Sequence, residues 1–124
     1  MKNKQVVILG ATTNPDRYAY IAAEMLIENG YDLIPAGIKQ GEVFGKPIVK
    51  PESIPQGADT ITLYINPEIQ NTLRDLILNL KPRRIIFNPG TENYELMRAA
   101  AEQGIQCVEA CTLVLLRTHQ FESD

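Results

Sequence analysis

Val6-Val7-Ile8-Leu9, entered from Gln5 and closed by Gly10, is an unbroken apolar, mostly β-branched run. A strand with one face in water would alternate polar and apolar residues. A continuous run indicates a strand covered on both faces. The rest of the chain supplies the cover. Tyr18, Ile21, Ala22, Met25 and Leu26 recur at helical spacing and stop at Asn29-Gly30. Asp32–Ala36 reads as a second strand and Thr60–Ile65 as a third. Ile69, Leu73, Leu76, Ile77 and Leu80 predict one second helix, and Arg84–Phe87 a fourth strand. Glu92–Gln103, with Leu96, Ala99 and Ala100 on one face and Gly104 as its stop, predicts a third helix. Gln106–Glu109 predicts a fifth strand. Cys111–Arg117 fits a terminal helix or a sixth strand equally well.

Strands separated by single helices run parallel, with right-handed crossovers. The expected fold is therefore α/β: a doubly wound, mostly parallel, five-stranded Rossmann-like sheet with helices on both faces. With 124 residues there is room for one such domain, expected over 1–124. Between Gly37 and Ala58, Gly37, Gly41 and Gly45 followed by Pro47, Pro51 and Pro55 interrupt any period. This stretch reads as a long structured connection, with a short helix near Glu52. A connection of that length in a compact domain is usually functional or covers a site.

Composition removes several classes of function. At 44% hydrophobic and 22% charged residues, the chain has too much apolar surface to remain disordered. Twelve Lys and Arg against fifteen Asp and Glu give a net charge of −3, which offers nucleic acid or an anionic membrane no bulk attraction. The longest apolar stretch, Ala110–Leu116, is far below the roughly 20 residues of a bilayer span. The basic start, Met1-Lys2-Asn3-Lys4, runs straight into the first strand, so no signal peptide is expected. Cys107 and Cys111 are expected as reduced thiols in a cytoplasmic protein. With His119 the only histidine, neither a zinc site nor a Ser-His-Asp arrangement can be assembled.

Asn14-Pro15, Asn66-Pro67 and Asn88-Pro89 each follow a predicted strand and precede a predicted helix. Asn caps helices well and Pro suits the first helical position. The spacing thus predicts helix N-termini along the carboxyl edge of a parallel sheet, the edge where such sheets bind ligands and where exposed N–H groups favour anions. The first turn, Gly10-Ala11-Thr12-Thr13-Asn14-Pro15, keeps only the first glycine of a dinucleotide fingerprint. The second strand is followed not by the acid that holds an NAD ribose but by Pro35-Ala36-Gly37-Ile38-Lys39. A cation there suits a ribose phosphate. No P-loop sequence occurs.

Several stretches together resemble the small CoA-binding domain proteins, which are similar to the CoA-binding domain of the succinyl-CoA synthetase alpha subunit. They are Gly10-Ala11, Arg17-Tyr18, Gly30-Tyr31, Ile34-Pro35, Gly41-Glu42-Val43-Phe44-Gly45-Lys46-Pro47, Ile54-Pro55, Asp59-Thr60, Pro89-Gly90 and Cys111. The resemblance spans nearly the whole chain. It departs where the family carries Pro-Val-Asn-Pro after the second strand, here Pro35-Ala36-Gly37-Ile38.

The resemblance implies coenzyme A or an acyl-CoA as ligand. Its pyrophosphate is then expected over Gly10, Ala11, Thr12, Thr13 and Asn14, with Arg17 reaching a phosphate and Lys39 the 3′-phosphate. Pro35 ends the second strand beside it. Ile65, Asn66 and Pro67 are expected to cover the adenine or pantetheine. Asn88, Pro89, Gly90 and Thr91 are expected to form the far wall, with Asn88 bonding a pantetheine amide. No catalytic residue is expected. Glu92 is the one acid near the site, and Cys111 the one thiol. A homo-oligomer or a partner subunit is compatible with this reading. The competing readings are a small NAD(P)-dependent oxidoreductase and an interaction module with a vestigial nucleotide pocket.

Overall fold

The computed structural model describes residues 4–122, so Met1-Lys2-Asn3 lies outside the described residues. Five parallel strands form one sheet: β1 (Gln5–Leu9), β2 (Asp32–Ala36), β5 (Thr60–Leu63), β6 (Arg84–Phe87) and β7 (Gln106–Glu109). Their order is β2-β1-β5-β6-β7. Val6, Val7 and Ile8 are fully buried, as the continuous run requires.

Side chains alternate between two cores. Val6 and Ile8 meet Ala22, Ala23 and Leu26 of α1 (Tyr18–Glu28) and Leu113 and Leu116 of α5 (Thr112–Arg117). Val7 and Leu9 face the other way, into a core shared with Ile77 of α3 (Arg74–Asn79) and Leu96 and Ala100 of α4 (Tyr94–Glu102). The sheet is thus covered on both faces. The segment after Gln106–Glu109, left open by the sequence, is the helix α5.

Element boundaries differ from expectation in places. The single helix expected across Ile69–Leu80 is two, α2 (Pro67–Thr72) and α3, broken at Leu73. The Thr72 hydroxyl donates to the Ile69 carbonyl at 2.7 Å, and the Leu73 amide takes the Gln70 carbonyl in a tight turn at 3.0 Å. The third strand ends at Leu63, so Tyr64 and Ile65 leave the ladder at the carboxyl edge. The connection after β2 is structured as expected: the short helix near Glu52 is a 3₁₀ turn at Pro51–Ser53, and it is preceded by a two-stranded hairpin, β3 (Glu42–Val43) with β4 (Lys46–Pro47), that had no counterpart in the expectation.

Only one of the three Asn-Pro pairs caps a helix. The Asn66 side chain accepts from the Ile69 amide at 2.9 Å, with Pro67 in the first position. The N-cap of α1 is Arg17, and Asn14 instead accepts from the Asp16 amide at 3.0 Å. α4 is capped by Asn93, which accepts from the Leu96 amide.

The amino edge of the sheet is closed by the C-terminal segment. Buried Arg84 donates to the Thr60 hydroxyl at 3.1 Å and to the Phe121 carbonyl at 2.6 Å. Its guanidinium lies 4.5 Å from the centre of the Phe121 ring. Tyr31 packs edge-on against the same ring, and its hydroxyl donates to Glu122. Burial, with Glu122 beside it, raises the Tyr31 phenol well above its ordinary range.

Candidate functional site

The strand order reverses between β1 and β5: from β1 the chain goes out to β2, then returns to the other side of β1. A crevice opens at the carboxyl ends there, where doubly wound sheets take ligands. Gly10 makes that geometry possible. Its φ is +106°, and a Cβ on it would stand 2.9 Å from the Tyr64 carbonyl group. A side chain fits neither the backbone conformation nor the space.

The crevice has two lobes. One, of about 160 Å³, is bordered by Thr12, Arg17, Tyr18, Ala19 and Tyr64. The other, of about 190 Å³, is bordered by Pro51, Ile65, Ile69 and Leu73, with Ile38 at its lip. Gly10, Arg17, Lys39 and Tyr64 border both. One lobe is the more polar of the two, with polar and apolar surface in about equal measure; the other is largely apolar, and two cations border both. Among the described residues neither Arg17 nor Lys39 makes an ion pair or a side-chain hydrogen bond.

Backbone donors converge on the polar lobe, though not all those expected. The Gly10 and Ala11 amides both donate to the Ala36 carbonyl at 2.9 Å, which locks the turn to β2 and consumes them. The Asn14 amide is taken by the Thr12 hydroxyl at 3.1 Å. The amides of Thr12, Thr13, Tyr18 and Ala19 make no hydrogen bond within the described chain. Tyr18 and Ala19 open α1, so their N–H groups carry the positive end of the helix dipole.

Of the expected residues, the fold brings Gly10, Ala11, Thr12, Arg17, Lys39 and Ile65 together. Thr13 and Asn14 are exposed on the turn beside them, and Thr13 packs against Gly41. Pro35 is buried within β2, its carbonyl accepting from the Val49 amide. Asn66 and Pro67 are occupied in capping α2.

The expected far wall borders neither lobe. Asn88 is 3% exposed, and its amide is fully engaged. It donates to the Thr62 hydroxyl at 2.7 Å and the Leu63 carbonyl at 2.8 Å, and accepts from the Thr112 amide at 2.9 Å. Both ends of its side-chain amide are engaged inside the protein, where it ties β5 and β6 to α5. Thr91 is buried, its hydroxyl donating to the Asn88 carbonyl and its own carbonyl accepting from Gln70. Pro89 and Gly90 are exposed on the loop between them, and the Gly90 amide donates to the Glu92 carboxylate at 3.0 Å. Glu92 thus closes a turn rather than addressing the crevice.

Tyr64, Tyr18, Ile38 and Ile69 border the crevice, and none was singled out from the sequence. Tyr64 read as strand and Ile69 as helix core. The exposed apolar rim has no local signature. The Tyr64 phenol is pushed up to about 12, chiefly by burial. Cys111 is half-buried at the start of α5. Cys107 is half-buried in β7, and burial pushes its thiol up.

A family model described as a CoA binding domain matches residues 4–117. The crystal structure of an uncharacterized protein superposes with a TM-score of 0.92 at 51% identity, covering 96% of this chain and 98% of that one. A protein from Thermus thermophilus gives 0.85 at 25%, covering 96% of this chain and 91% of that one. A hypothetical protein from Pyrococcus horikoshii OT3 gives 0.83 at 26%, covering 96% and 83%. No curated protein matches the sequence. Among the described residues no helix is long and apolar enough to cross a membrane.

Proposed function

Since this chain belongs to the CoA-binding domain family, we propose that it binds coenzyme A or an acyl-CoA in the crevice between β1 and β5. The observation that carries this reading is the pair Arg17 and Lys39, which border both lobes without an ion pair of their own. Two uncompensated cations beside the unbonded amides of Thr12, Tyr18 and Ala19 suit a polyanion placed in the middle of a longer ligand. The apolar lobe of Ile65, Ile69 and Leu73 suits the adenine on one side of that anion. The polar lobe suits the pantetheine arm on the other. Lys39, just past β2, is assigned the 3′-phosphate.

No group-transfer step is assigned to the chain. The role is that of a carrier, a sensor or one half of an assembly. NAD is a poorer fit: the turn holds only the first fingerprint glycine, and a lysine stands where a ribose-binding acid would. A thermal-shift panel of CoA, acetyl-CoA, dephospho-CoA, NAD, NADP and ATP tests this. At a hundredfold excess over Kd, a ligand of the folded state adds about 2.7 kcal/mol of stability. CoA is expected to raise the melting temperature by several degrees and NAD to leave it unchanged. The reverse order overturns the reading.

A further inference from the structure

Ile38 is 89% exposed at the lip of the apolar lobe. Single exposed apolar residues are common and need no cause. Here they are not scattered. Six large apolar side chains are exposed among the described residues: Tyr18, Ile38, Phe44, Ile69, Tyr94 and Val114. Three of these, Tyr18, Ile38 and Ile69, border the crevice.

The segment that carries Ile38 is pinned at its ends and free between them. The Gly37 amide donates to the Val49 carbonyl at 3.0 Å, and the Gly41 carbonyl accepts from the Ile48 amide at 2.9 Å. Ile38, Lys39 and Gln40 make no hydrogen bond within the described chain, and all three are exposed. Gly41 sits at φ +135° against Thr13, so this end of the strap touches the turn after β1. Across the apolar lobe stands Ile69, 42% exposed.

We propose that residues 37–41 form a strap that closes on the bound ligand, with Ile38 as its clasp. The inference rests on the CoA reading of the same crevice. On closure Ile38 leaves water and covers the apolar end of the ligand opposite Ile69. The same movement carries Lys39 down onto a phosphate. Before ligand binds, the isoleucine stands in water at the lip of the apolar lobe. Its partner is the ligand. The strap adds little to the encounter, because it closes afterwards. It sets how fast the ligand leaves.

The test compares wild type, Ile38→Ser and Ile38→Leu by stopped-flow binding of CoA, with the melting temperature of each ligand-free protein as control. Because Ile38 is exposed, both variants are expected to melt with the wild type when ligand-free. Ile38→Ser is expected to release CoA about tenfold to a hundredfold faster with little change in association rate, and Ile38→Leu to restore slow release. Wild type and Ile38→Ser releasing CoA at one rate overturns the clasp and leaves the CoA reading standing. A wild type that binds no CoA at all overturns both. As a second readout, amide hydrogen exchange across residues 37–41 is expected to slow when CoA is bound. Unchanged exchange in a CoA-bound protein overturns closure.

Discussion

A side chain on Gly10 would begin 2.9 Å from the backbone carbonyl of Tyr64. These two residues leave adjacent parallel strands at the point where the sheet changes direction, and their contact sets the floor of the crevice. Gly10→Ala must strain a backbone at φ +106° and push β1 from β5. A cost of about 1–3 kcal/mol is expected, seen as a melting temperature lower by several degrees. CoA binding is expected to be lost even in the folded fraction, as calorimetric titration below the transition can check. Wild-type stability in Gly10→Ala would contradict the contact.

The assignment of Lys39 to a phosphate predicts a specific loss. Wild type should prefer CoA to dephospho-CoA, which lacks the 3′-phosphate. Lys39→Ala should weaken CoA binding by about tenfold to a hundredfold and erase most of that preference. Titrating both proteins with both ligands forms a cycle in which general damage to the fold cancels. If the preference survives intact, Arg17 becomes the next candidate.

Asn88 gives the opposite pattern. Asn88→Ala leaves the Thr112 amide and the Leu63 carbonyl inside the protein without their partner, at a cost of about 2–4 kcal/mol. The affinity for CoA of the protein that remains folded should stay within about twofold, since Asn88 borders neither lobe. Chemical denaturation read beside calorimetry separates the two effects. A large loss of affinity at unchanged stability would return Asn88 to the site.

The cysteines predict a pH dependence. Two titratable thiols are expected in denatured, unreduced protein. In the native protein burial holds the Cys107 thiol above its ordinary pKa, so less of it is thiolate at any given pH. With Cys111→Ser in place, the alkylation rate of Cys107 should follow a curve displaced to higher pH than that of a free thiol. A curve at the ordinary thiol position would show that burial does not govern it.

Much of the fold was legible because buried parallel strands leave a local signature. Val6-Val7-Ile8-Leu9 and Arg84–Phe87 are recognisable within a few residues, and the helices between them follow from spacing. Lys39 and Ile65 were legible as crevice residues because each sits within three positions of a strand end, and Arg17 because it opens α1. Asn88 was misread for the same reason that Asn66 was read correctly: both precede proline after a strand. Only the Asn88 partners, Thr62 and Thr112, twenty-six and twenty-four positions away, distinguish a buried tie from a cap. Tyr64 and Ile69 escaped because one read as strand and the other as helix core, and Ile38 because it read as part of a connection, until the strands are ordered around the crevice.

The tie between Arg84 and Phe121 lies at the edge of the sheet opposite the crevice. The molecule therefore divides its labour along the strands. What anchors the tail sits at the amino ends, and the crevice proposed for the ligand sits at the carboxyl ends. A chain stopped at Gln120 would forfeit the ring and carbonyl that hold the Arg84 guanidinium, yet would leave every residue of the crevice in place. Conversely, the turn after β1 and the strap after β2 can be rewritten for a different cargo without disturbing that anchor. Anchor and crevice thus occupy opposite ends of the same five strands, and neither borrows a residue from the other.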